Sequence, residues 1–126
     1  MRVLVADDDS HIVKMFEFML SMEGYEVVTA ANGGEALDQI RRQAPDVVLL
    51  DVMMPFVDGL QVAKCMRDDR LLSRIPVIMI TAKAGDEDMW AGWERGVSSY
   101  LTKPVDPDVL LAEIRRVTYK DLHVAV

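Results

Sequence analysis

Short apolar runs alternate along this chain with segments whose apolar residues recur at helical spacing. Val3-Leu4-Val5-Ala6, Val47-Val48-Leu49-Leu50 and Val77-Ile78-Met79-Ile80 are unbroken apolar tetrads, which suit strands buried on both faces. Tyr25 to Ala30 and Val97 to Leu101 are weaker runs, as edge strands would be. Between them, Ile12, Met15, Phe16 and Met19 fall at i, i+3, i+4, i+7, and Gly24 follows as a helix stop. Asn32-Gly33-Gly34-Glu35 reads as a capping box for a second helix through Ala36, Leu37 and Ile40. Asp58-Gly59-Leu60-Gln61 opens a third helix running to about Asp69, and Asp86-Glu87-Asp88 opens a fourth that Gly96 closes. Asp106-Pro107 is an N-cap followed by proline at the first helical position, with Leu110, Ile114 and Val117 as the buried stripe of a fifth helix. Five strands alternating with five helices predict an α/β domain: a doubly wound parallel sheet of order 2-1-3-4-5, a three-layer flavodoxin-like sandwich.

Length and charge narrow the class. The chain has 126 residues and a formal charge of −7, so one domain is expected, spanning residues 1–120 with a patternless tail at 121–126. The acidic balance argues against direct nucleic-acid binding, which wants a basic patch. The amino terminus reaches acids after a short apolar run, so neither a signal peptide nor a membrane span is read there, and a cytoplasmic setting is expected. Cys65 is alone, so no disulfide framework exists and a packing role inside the third helix is expected. His11 and His123 lack metal-ligand partners and read as surface. Most of the nine methionines, including Met15, Met19, Met53, Met54, Met66 and Met79, read as core filler. Trp90 and Trp93, at i, i+3 on the fourth helix, either pack on the sheet or place at least one ring on a partner-binding face.

The chemistry gathers at the carboxyl ends of the strands. The first strand runs into Asp7-Asp8-Asp9, the third into Asp51, the fourth into Thr81-Ala82 and the fifth into Thr102-Lys103-Pro104. In a parallel sheet these ends share one edge, so several carboxylates crowd beside one hydroxyl and one ammonium. Like charges oppose such crowding unless a hard divalent cation or a fixed positive side chain relieves it. A carboxylate, a Mg2+ (or Mn2+) site, a hydroxyl and a lysine around one point are the parts of a phosphoryl-transfer site, and an aspartate can accept phosphate as an acyl phosphate.

These motifs, in order from Val3 through Asp51-Val52-Met53-Met54-Pro55 to Tyr100-Leu101-Thr102-Lys103-Pro104, resemble a receiver domain of the two-component response regulators. Asp51 lies 43 residues after Asp8, Thr81 lies 30 after Asp51, and Lys103 lies 52 after Asp51, intervals close to that family's. The resemblance implies that Asp51 is the phospho-acceptor. It implies that Asp7, Asp8, Asp51 and the Met53 backbone carbonyl hold Mg2+. It further implies that Lys103, Thr81 and the Ala82 amide bind phosphoryl oxygens, and that Lys103-Pro104 is cis. Thr81 and Tyr100 would form the switch, altering the face of the fourth helix, fifth strand and fifth helix for a partner. The implied partners are a sensor histidine kinase or phosphotransfer protein, docking near Ile12, Met15 and the Pro104-Val105 loop, and a downstream protein target. The implied state is a monomer or a weak phosphorylation-dependent dimer. Such a protein catalyses its own phosphorylation and slow dephosphorylation and is not otherwise an enzyme.

The chain departs from the family pattern at Phe56, where glycine is usual, and at Ser98-Ser99, where acids are common. In that family the positions two residues beyond the acceptor and beyond the site hydroxyl influence acyl-phosphate lifetime, and Met53 and Lys83 there imply slow loss of the phosphoryl group. Two rival readings are weaker. An aspartyl-phosphate phosphatase of the haloacid-dehalogenase type would use Asp7 and Asp9, but 126 residues is short for that fold. A flavodoxin-like flavin protein would want a Ser/Thr/Gly-rich phosphate loop after the first strand, and none is present.

Overall fold

The computed structural model describes residues 1–82 and 96–123. Along the chain these form β1 (Arg2–Ala6), α1 (Ser10–Met22), β2 (Glu26–Ala30), α2 (Gly33–Gln43), β3 (Val47–Leu50), α3 (Gly59–Asp68), a short 3-10 turn at Leu72–Arg74, β4 (Val77–Thr81), β5 (Ser99–Thr102) and α4 (Pro107–His123). The five strands make one sheet in the order β2-β1-β3-β4-β5, every pairing parallel. Residues 83–95, which carry Lys83 and the predicted fourth helix from Asp86 with Trp90 and Trp93 up to its closing Gly96, and the terminal residues 124–126 lie outside the described residues. The fifth predicted helix is α4.

Alternation along the central strands explains their unbroken apolar runs. Leu4, Val48, Leu50, Val77 and Met79 face one layer, where they pack with Ala36 and Ile40 of α2 and Val62, Ala63 and Met66 of α3. Val3, Val5, Val47, Leu49, Ile78 and Ile80 face the other, packing with Phe16 and Leu20 of α1 and Leu110, Ile114 and Val117 of α4. With both faces covered, a period of two carries no polar positions. β2 and β5 lie at the sheet edges and are partly exposed, in keeping with their weaker runs.

The helices are capped where their residues suggest, with only the Asn32 half of the expected box formed at α2. Asp9 caps α1 by accepting from the His11 N–H at 2.9 Å. Asn32 caps α2 by accepting from the Glu35 N–H at 2.8 Å. The full reciprocal box forms at α3, where the Asp58 and Gln61 side chains each accept from the other's N–H at 2.9 Å. Asp106 accepts from the Asp108 N–H at 2.8 Å ahead of Pro107.

Three expectations from the sequence are corrected. Cys65 is exposed rather than packed, because Val62, Ala63 and Met66 already fill the arc of α3 that meets the sheet. Met15 and Met53 are not core filler: they are 55% and 57% exposed. On α1 the sheet-facing arc centres on Phe16 and Leu20, which turns Met15 outward.

Candidate functional site

Asp7 and Asp51 stand one residue beyond the ends of adjacent strands, so the sheet itself sets their spacing. The Asp51 N–H donates to the Ala6 carbonyl at 3.0 Å, and the Asp7 N–H donates to the Ala30 carbonyl at 3.1 Å. Both residues are buried, at 3% and 5% exposure. Lys103 leaves β5 with its N–H donating to the Thr81 carbonyl at 2.9 Å, and its cis peptide precedes Pro104. Its side chain reaches back across the strand ends, so that Nζ donates to Asp7 Oδ2 at 2.7 Å and to Asp51 Oδ2 at 3.1 Å. Carboxylates 96 and 52 positions before Lys103 thus share its one ammonium.

The remaining carboxylate oxygens are partly engaged. Asp7 Oδ1 accepts from the Asp9 N–H at 2.9 Å, and Asp51 Oδ1 accepts from the Met53 N–H at 3.1 Å. Burial pushes the Asp51 carboxyl above the usual carboxylate range; the Lys103 hydrogen bond opposes this and the Asp7 charge adds to it. Burial draws the Lys103 ammonium down, but hydrogen bonds to Asp7 and Asp51 outweigh it, and its pKa lies above the ordinary lysine value. Lys103 therefore stays charged and neutralises one of the two buried carboxylates.

The other negative charge needs a second source of relief. Asp7, Asp8 and Asp51 each offer an oxygen, all within 4.8 Å of one another, and Asp8 is exposed to solvent. An all-oxygen donor set with one wet side suits a hard divalent cation that keeps part of its water shell. A carboxylate with one oxygen held by an ammonium and a cation site beside it is equipped to take up a phosphoryl group.

Thr81 is fully buried at the end of β4, Ala82 follows it at the surface, and Tyr100 is half-buried opposite Met79. The structure thus brings Asp7, Asp8, Asp51 and Lys103 together by their side chains and sets Thr81 and Ala82 beside them through the strand ends. An apolar groove runs from Ile12, Met15 and Met19 on α1 to Pro104 and Val105, and reaches Ala82 and Lys103.

The response regulator receiver domain model matches residues 3–115. The chain belongs to that family. Receiver domains of response regulators are the phosphoacceptor modules of two-component signalling, and they are signalling switches rather than metabolic enzymes. This receiver is 45% identical over 117 residues to the response regulator PleD of Caulobacter vibrioides, covering 93% of this chain and 26% of PleD. It is 38% identical to the alkaline phosphatase synthesis transcriptional regulatory protein PhoP of Bacillus subtilis, covering 92% of this chain and 48% of PhoP. The chain spans between a quarter and a half of these relatives. Among solved structures it superposes on a CheY-like receiver domain protein from Methanospirillum hungatei with TM-score 0.89 and 31% identity, covering 94% of each chain. The chemotaxis protein CheY4 of Vibrio cholerae gives TM-score 0.87 and 35% identity, covering 92% of this chain and 97% of that one. No helix among the described residues is long and apolar enough to cross a membrane.

Two residues that shape the site carry no chemistry and were not singled out from the sequence as site residues. A Cβ on Gly59 would lie 2.2 Å from the Asp51 carbonyl oxygen, and one on Gly33 would lie 1.9 Å from the Val57 carbonyl oxygen. The loop that follows Asp51 is therefore seated directly on the first turns of α2 and α3. The only signal in the sequence is a glycine after each N-cap, at Asn32-Gly33 and Asp58-Gly59, which is equally compatible with an ordinary helix start.

Proposed function

We propose that Asp51 is the phospho-acceptor of this receiver and that a histidine kinase or phosphotransfer protein is its donor. The observation that carries the reading is the single Lys103 ammonium bridging two buried carboxylates next to Asp8. In the transfer, an Asp51 carboxylate oxygen forms the new O–P bond as the donor's N–P bond breaks. The imidazole nitrogen keeps the electron pair and takes a proton from water. Lys103 pairs with a phosphoryl oxygen as charge builds there, and Thr81 and the Ala82 amide take the others. Asp7, Asp8, Asp51 and the Met53 carbonyl would hold Mg2+ or Mn2+, which supplies charge neutralisation for the phosphoryl oxygens. The same residues, with water, support slow loss of the phosphoryl group.

The apolar groove beside α1, with Ile12 and Met15 on one wall and Pro104 and Val105 on the other, is the docking place for the donor. Phosphorylation adds roughly 1.5 to 2 negative charges and three acceptor oxygens. Thr81 shifts toward them, Tyr100 turns into the space left, and the face of β5 and α4 changes for a downstream protein target. The protein acts in the cytoplasm as a monomer or weak phosphorylation-dependent dimer, with residues 1–120 as the receiver and 121–126 as a tail.

Acetyl phosphate with Mg2+ tests the assignment. We expect one phosphoryl group per wild-type chain, none on Asp51→Asn, and none in EDTA. Full labelling of Asp51→Asn would move the acceptor to Asp7 and overturn the reading.

A further inference from the structure

Phe56 is held in a conformation that a bulky side chain avoids. Its φ is +69°, and Ala44 is the other non-glycine residue of positive φ among the described residues. Ala44 closes α2 by donating its N–H to the Ile40 carbonyl, an ordinary role for a left-handed residue. Phe56 instead sits at the centre of a three-residue turn in which the Val57 N–H donates to the Pro55 carbonyl at 2.9 Å. A γ-turn with positive φ at its centre is the rare and strained hand, and an aromatic Cβ makes it worse.

Nothing within the described fold offsets that strain at the ring, which is 94% exposed. The turn is kept by what lies beneath it: Val57 seated on Gly33, and the backbone at Asp51 seated on Gly59. Its outcome is an outward-facing aromatic beside exposed Pro55 and Met53. Met53 and Pro55 line a cleft with Asp8 and Asp58 at one side of the Asp51 mouth. The groove of α1 and Pro104 lies against Lys103, which approaches Asp51 from β5. Asp51 is 5% exposed, so a protein that delivers a phosphoryl group must press onto this rim.

We propose that Phe56 is a specificity-determining anchor for the protein phosphodonor. It grips aliphatic side chains flanking the donor's phosphohistidine on the Met53–Pro55 side, while the α1 groove takes the donor's opposite side. The proposal rests on Asp51 being the acceptor. It predicts a division between donors, because acetyl phosphate can reach Asp51 without covering the rim.

The test compares two rates on the full chain: labelling by acetyl phosphate, and transfer from the autophosphorylated histidine kinase that labels wild type fastest in a purified panel. In Phe56→Gly and Phe56→Asn the ratio of kinase transfer to acetyl phosphate labelling should fall about tenfold or more, the loss typical of an aromatic anchor, and the fall should lie in KM. Phe56→Tyr should keep the wild-type ratio. The urea midpoint of Phe56→Asn should rise, since asparagine tolerates positive φ. An unchanged ratio in Phe56→Gly, an equal fall in Phe56→Tyr, or no transfer from any kinase to a wild-type chain that acetyl phosphate labels would each overturn the anchor. Failure of acetyl phosphate to label wild type, or its labelling of Asp51→Asn, would instead defeat the acceptor reading.

Discussion

Replacing Lys103 by methionine keeps most of the side chain's volume and removes its charge from between Asp7 and Asp51. With contacts of 2.7 and 3.1 Å and an effective dielectric of about 20, the gross attractions are ~6 and ~5 kcal/mol. The two carboxylates offer oxygens within 4.8 Å of each other, which on the same scale is a repulsion of at least ~3.5 kcal/mol. Most of the attraction is offset by the cost of taking the ammonium out of water. What the variant exposes is the repulsion, together with two buried charges that have lost their partner. Breaking a buried pair from one side generally costs about 3–5 kcal/mol. An upper limit also follows, because one carboxyl can take up a proton instead; at neutral pH that costs about 1.36 kcal/mol for each of roughly three units, or ~4 kcal/mol. The expected loss in EDTA is therefore ~3 kcal/mol. With a urea m-value of about 1.5 kcal/mol per molar, the midpoint falls by about 2 M. Mg2+ should stabilise Lys103→Met more than it stabilises wild type, because Lys103 Nζ occupies an oxygen on each of Asp7 and Asp51. Asp51→Asn should move the other way, gaining stability or holding it in EDTA, since it removes a buried carboxylate beside another. Urea unfolding followed by far-UV circular dichroism measures all three. An unchanged midpoint for Lys103→Met, or a Mg2+ effect no larger than in wild type, would refute the reasoning.

Other outcomes are expected at single positions. Gly59→Ala forces a Cβ to within 2.2 Å of the Asp51 carbonyl oxygen; overpacking of this kind costs about 1–3 kcal/mol, and acetyl phosphate labelling should slow as the loop moves, whereas wild-type labelling would contradict the seating. Asp58→Ala removes half of the capping box of α3 and should cost about 1 kcal/mol in thermal or urea unfolding. Ile114→Ala empties a fully buried position beneath the sheet and should cost about 2–5 kcal/mol in the same assay. Glu113 accepts from Arg116 and from the Ser99 hydroxyl, and these bonds hold its carboxyl below the usual glutamate range. Its folded value being depressed, the stability it adds is present above the unfolded value and is lost as pH falls through the folded one. Glu113→Gln should therefore be slightly less stable than wild type at pH 7, by less than about 1 kcal/mol, and the gap should close below the usual glutamate range; a gap that widens in acid would be inconsistent with this network.

Much of the site was legible in the chain because strand ends in a parallel sheet share an edge. Asp7, Asp51, Thr81 and Lys103 each follow an apolar run, so the alternation of elements alone predicts that they meet. The Asn32, Asp58 and Asp106 caps were equally readable, since a cap is a local bond between residues two or three apart. The outward turn of Met15 and the exposure of Cys65 were not readable. Helical spacing says which residues share a face, but the part of that face that meets the sheet depends on how the helix lies upon it.

The sequence by itself determined the order of the described elements, the burial of both sheet faces and which polar residues stand at the strand ends, because period, caps and spacing are properties of neighbouring positions. Tertiary structure decided which oxygens Lys103 holds, that Asp7 and Asp51 are buried while Asp8 is wet, and that Gly33 and Gly59 seat the loop after Asp51. It also decided that Phe56 stands outward at positive φ. Each of these depends on contacts between residues far apart in the chain, whose distances are set only when the sheet and its helices close around one another.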